Sequence, residues 1–188
     1  MTQEHITVVL LVIVAIIAIA VISFLVARKR RSQRLRERFG PEYDRVVQSE
    51  GEIRRAEGVL EMRAKRREQF VIRPLTPDTY TSFAERWRSV QALFVDDPKG
   101  SVSQADELVV ELMNTLGYPM ADFEQRSADI SVDHPVVVEN YRAAHDIALR
   151  HQRGEASTED LRKAMVHYRS LFNELLQTSQ PERKEARG

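Results

Sequence analysis

The chain has 188 residues, with 28 Lys plus Arg against 28 Asp plus Glu and no cysteine. That length suits one modest domain with attachments, and the lack of cysteine excludes a disulfide framework, a thiolate metal site and a cysteine nucleophile. The balanced charge excludes a uniformly basic nucleic-acid binder and an acidic disordered chain, yet it averages over unlike segments: −1 before residue 28, +6 over residues 28–40 and −5 over residues 41–188.

Residues 1–5 form a short polar N-terminus, and from Ile6 to Ala27 the sequence runs ITVVLLVIVAIIAIAVISFLVA, with Thr7 and Ser23 as its only polar residues. A helix of 22 residues spans about 33 Å, which matches a hydrocarbon core of about 30 Å. Its many β-branched residues favour a strand in water. In lipid, however, a lone segment can satisfy its own backbone only as a helix. A cleaved signal peptide requires a basic lead, a shorter apolar core and a small-residue cleavage site. The lead here is Met1, Thr2, Gln3, Glu4 and His5, and the apolar run passes Ala18 and Ala20 without a polar break. The expectation is an uncleaved transmembrane helix.

Arg28, Lys29, Arg30, Arg31, Arg34, Arg36 and Arg38 follow the span, opposed only by Glu37. By the positive-inside rule this basic collar puts the N-terminus outside and the C-terminal domain in the cytoplasm of a cell with an inner membrane. The seven side chains are the expected membrane-surface contacts, with the lipid bilayer and its anionic headgroups as partners. The mildly acidic remainder should be held off that leaflet. Nucleic-acid tethering through the collar is a lesser reading, because no groove-reading or RNA-binding motif accompanies the charge. Ser23 and Ala27 are small residues four apart, a weak signal for helix pairing.

Gly40 and Pro41 should end one helix and start the next. Residues 41–73 read as a charged helical connector with a narrow apolar seam of Tyr43, Val46, Ile53, Leu60 and Ala64. Glu50 and Glu57 interrupt the heptad, and Gly51 and Gly58 weaken the backbone. A coiled-coil stalk, self-association into a homo-oligomer, or packing back onto the rest of the chain are all open at this point. Prolines 74 and 77 then mark a break, with Thr76 as an N-cap.

Residues 76–176 should form a small helical bundle. One helix carries Tyr80, Phe83, Ala84, Trp87, Val90, Leu93 and Phe94 on a single face. After a turn at Asp96, Asp97, Pro98 and Gly100, a second carries Val102 to Leu116 and stops at Gly117. A short helix over 120–130 and a longer one over 135–153 come next. The last follows Ser157 and Asp160, which have capping-box spacing, and displays Leu161, Ala164, Met165, Tyr168, Leu171, Phe172 and Leu175. Residues 177–188 read as a disordered tail. The fold class expected is all-α: a transmembrane helix, a juxtamembrane helix and a cytoplasmic bundle with antiparallel neighbours.

Catalytic chemistry has little to stand on. His134, His145, His151 and His167 lack the spacing of a zinc helix or a di-iron bundle, so no metal, cofactor or catalytic residue is assigned. There is also no phosphate loop, nucleophile elbow or calcium loop. Asp96 and Asp97 read as turn formers, and Trp87 and Tyr80 as core. The one enzymatic alternative is a tethered enzyme using Asp133 and His134, with Glu139 as a further carboxylate. The leading expectation is a scaffolding or interaction module for a protein partner at the cytoplasmic face.

The stretches RLRERFGPEYDR (34–45), FAERWRSVQALFVDDP (83–98), DFEQRSADISVDHPVVVENYRAAH (122–145) and GEASTEDLRKAMVHYRSLFNELL (154–176) resemble an uncharacterised family of bacterial single-pass membrane-anchored proteins. The resemblance implies a bacterial source and one anchor. It carries no established activity and no site residues.

Overall fold

The computed structural model describes residues 3–179 and the side chains of residues 11–179. The described residues form eight helices and no strands: α1 (Gln3–Phe39), α2 (Pro41–Glu50), α3 (Ile53–Arg67), α4 (Pro77–Leu93), α5 (Pro98–Leu116), α6 (Phe123–Ile130), α7 (Val138–Gln152) and α8 (Thr158–Thr178). The all-α expectation holds. Residues 1 and 2 of the expected outer segment, and residues 180–188 of the expected tail, lie outside the described residues.

α1 is unbroken from the apolar run through the basic collar, and it ends where Gly40 takes a positive φ of 48° ahead of Pro41. Its large apolar side chains from Leu11 to Val26 are all exposed, so it is not the core helix of a soluble domain. It is long and apolar enough to cross a membrane. Between its cations the collar also carries apolar residues. Leu35 and Phe39 are buried, because their spacing of four sets both on one face of the helix.

Residues 41–73 do not form one continuous helix. Gly51 takes φ 71° with its N–H on the Val47 carbonyl, a left-handed cap that other residues resist. The chain reverses there, and α3 packs on α2. Leu35, Phe39, Tyr43, Val46, Ala56, Leu60 and Ala64 then close a small core with Val132. The apolar seam is thus buried within its own chain. Ile53, expected in that seam, lies outside it at 48% exposure. Glu57 takes an inner position instead, accepting a hydrogen bond from the Tyr43 hydroxyl at 3.1 Å.

α4 to α8 enclose the larger core, in which α8 packs against both α5 and α7 and α5 also packs against α4. Trp87 stacks on Phe172 with centroids 4.6 Å apart, as the apolar stripes on α4 and α8 require. The starts of α4, α5 and α8 are capped as the residue types predict. The Thr76 and Asp97 side chains accept from the amides of Thr79 and Gly100, and Ser157 and Asp160 form a reciprocal capping box. The bundle reaches beyond residues 76–176. Leu75 is buried and donates its amide to the Ser179 carbonyl at 3.0 Å, while α8 continues through Thr178.

Candidate functional site: the membrane boundary and the junction beneath it

All seven collar cations, Arg28, Lys29, Arg30, Arg31, Arg34, Arg36 and Arg38, are exposed. Their setting is not uniform. Arg30, Arg34 and Arg38 follow one another at steps of four along one face and line a cleft of about 650 Å³ with Val26 and Ala27. Arg31 reaches across to Glu61 of α3 at 2.5 Å. The guanidinium of Arg36 sits 4.8 Å over the Tyr43 ring. Among the described residues, Arg28, Lys29, Arg30, Arg34 and Arg38 form no ion pair, which leaves them available to phosphates. The apolar end of α1 and this unpaired charge meet at Ala27 and Arg28, an amphipathic step of the kind a lipid–water boundary selects.

Below the collar, ion pairs join the small core to the large one. Glu42 is fully buried, accepting from Arg63 Nη1 at 2.6 Å and from Arg142 Nη1 and Nη2 at 2.7 and 2.9 Å. This fork brings α2, α3 and α7 to one carboxylate. Arg66 of α3 donates to Asp129 of α6 at 2.9 Å, and Arg67 pairs with Asp133. Asp133 also accepts from the Tyr118 hydroxyl at 2.7 Å, and burial followed by the nearby carboxylate raises the Tyr118 pKa. Sequence reasoning missed this junction. Its partners lie up to 100 residues apart, and each arginine alone reads as a solvated surface charge.

The histidines do not converge on a carboxylate centre. Asp133 serves Arg67 and Tyr118, whereas His134 Nδ1 lies 3.4 Å from Glu174, and Glu139 is held by Arg142 at 2.9 Å and Arg45 at 3.4 Å. The trio Asp133, His134 and Glu139 is therefore divided among three sets of partners. His167 Nδ1 pairs with Asn140 at 2.8 Å, and His145 stacks on Phe123 with centroids 3.6 Å apart. No group of three or more His, Asp or Glu side chains among the described residues is placed to hold a metal ion. Asp97 is the cap of α5, accepting from the Gly100 amide at 2.9 Å, which gives that residue a structural role.

In comparisons with known proteins the chain matches no family model, no curated protein and no solved structure.

Proposed function

We propose that this is a single-pass protein of a bacterial inner membrane, anchored by α1, whose cytoplasmic helical domain serves as a scaffold for another protein at the membrane face. The observation that carries the reading is the continuity of α1. One helix begins as an exposed apolar rod, passes through a ring of exposed cations and ends with Phe39 fully buried in the domain. A flexible tether would leave the domain free to wander. A helix embedded in both phases holds it at a fixed distance and attitude, which is what a platform requires. The collar supports an orientation with the N-terminus outside and the domain in the cytoplasm, and its unpaired arginines support contact with anionic headgroups.

Crosslinking and proximity labelling of the full-length protein in its native membrane, set against a chain beginning at Ser32, tests the proposal. That shorter chain keeps Leu35 and Phe39 and so keeps both cores. A discrete set of protein partners that disappears on untethering is the expected result. Recovery of only lipid and the protein itself, in both forms, would remove the scaffold reading.

A further inference from the structure

We infer that the turn between α2 and α3 is a second membrane contact, with Ile53 seated in the lipid–water interface beside the point where α1 leaves the bilayer. The inference rests on the anchored reading of α1 and adds to it a site that the sequence pattern had assigned to a narrow apolar seam.

Helix lengths bring the turn back to the boundary. From Arg28 to Phe39, α1 carries the chain about 18 Å away from the end of the apolar run, and the ten residues of α2 return it by about 15 Å. Side-chain placement agrees. Ile53 shares a cleft of about 490 Å³ with Leu25, Arg28 and Lys29 of α1. A neighbouring cleft of about 770 Å³ is lined by Phe24 and Ala27 together with Gly51, Glu52 and Arg54. Phe24, Leu25 and Ala27 belong to the apolar span, so a residue lining the same clefts stands at the level where that span ends.

The chemistry of the turn suits the interface and not the hydrocarbon. Ile53 is the large apolar side chain of the turn and is 48% exposed, while its neighbours Glu52, Arg54 and Arg55 are exposed and charged. One apolar side chain ringed by charges can enter the headgroup layer without drawing its backbone into the bilayer. Arg28, Lys29, Arg54 and Arg55 around it outnumber Glu50, Glu52 and the buried Glu57, so the net charge near the turn favours an anionic leaflet. The occupant is therefore the bilayer surface itself. Contact at both α1 and this turn fixes the rotation of the domain about the span, which a single helix cannot do.

The chain has no cysteine, so a single introduced thiol takes one label. Full-length Ile53→Cys, Met62→Cys and Val14→Cys proteins, each carrying an environment-sensitive fluorophore, would be reconstituted in phosphatidylcholine–phosphatidylglycerol vesicles containing lipids with quenchers at defined depths. Met62 is 66% exposed and lies nine residues further along α3, about 13 Å from Ile53 along the helix axis. The expected result is blue-shifted emission with quenching by shallow quenchers at position 53, quenching by deep quenchers at position 14 and neither at position 62. A label at 53 that behaves like the one at 62, while 14 remains quenched, overturns this inference and leaves the anchor standing. A label at 14 that is open to water overturns the anchor and this contact together.

Discussion

Glu42 shows how one side chain can hold segments remote in sequence. It has no solvent exposure, and two guanidinium groups, of Arg63 and Arg142, satisfy both of its oxygens. Removing one partner of such a buried arrangement costs more than the arrangement itself contributes, because the charges left behind remain desolvated. Glu42→Ala should therefore lower unfolding stability by about 3 kcal/mol, measured by denaturant titration in detergent. An apolar pair, Glu42→Met with Arg142→Met, should lose less than Glu42→Ala alone. His145 provides a second test at this scale. Burial pushes its pKa below the ordinary 6.5, and Arg126 adds to that, while Asp106, Glu124 and Asp146 pull the other way. With the folded value below the unfolded one, the unfolded chain binds the proton more readily. The stabilising contribution of the neutral ring is complete above about pH 6.5 and is lost as pH falls through the folded value. Thermal midpoints recorded from pH 7.5 down to about pH 5 should fall, and His145→Gln should flatten that part of the profile.

At the scale of elements, the bundle was legible in the sequence because its signals are local. Thr76, Asp97 and Ser157 cap the helices they precede, and the stripes at steps of three and four on α4, α5 and α8 are the buried faces. The connector was not legible for the opposite reason. A stalk and a folded-back hairpin share the same apolar seam, and the contacts that tie the hairpin to the bundle, Glu42–Arg142, Arg66–Asp129 and Arg67–Asp133, leave no periodic trace. Glu57 interrupted the heptad pattern, yet it is buried, because the Tyr43 hydroxyl supplies the partner it needs. The placement of the α2–α3 turn escaped for the same reason: Ile53 fits the seam by spacing, and only the reversal at Gly51 takes it out. Gly51 and Gly117 both have positive φ, but they differ in surroundings. A Cβ on Gly51 would meet nothing within 4 Å, whereas on Gly117 it would lie 2.4 Å from the Val71 carbonyl oxygen. Gly51→Ala should cost only the backbone strain, about 1 kcal/mol. Gly117→Ala must also displace the strap formed by residues 70–75 and should cost at least about 2 kcal/mol more, a difference that paired denaturation curves would resolve.

The whole molecule is built on two cores of unequal size. The smaller belongs to α1, α2 and α3, and among the described residues Val132 is the one buried apolar side chain from beyond α3 that enters it. The larger belongs to α4 through α8 with the strap before them. Apolar packing thus divides the chain, while the charged junction at Glu42, Asp129 and Asp133 bridges the division. Burial is strong and non-directional, whereas an ion pair at a partly wet junction contributes less and depends on geometry. The two cores should therefore differ in local stability. Phe39 is the place to separate them, because it is fully buried in the smaller core and ends the helix that carries the long apolar run. Phe39→Ala should cost about 3 to 5 kcal/mol if the site cannot collapse, and the loss should fall on α2 and α3. Hydrogen exchange followed by mass spectrometry would then show fast exchange across residues 41–67, while the amides of α5, α7 and α8 keep their protection. Equal acceleration in both halves would instead make the ion-pair junction strong enough to unite the cores into one cooperative unit. In the expected case the domain would still be folded but no longer held in register with its span, so the label at position 53 should lose its shallow quenching while the label at position 14 keeps its deep quenching. That pairing of readouts ties the smaller core to the attitude of the domain at the membrane, and leaves the larger core as the part that keeps its shape when the anchor is loosened.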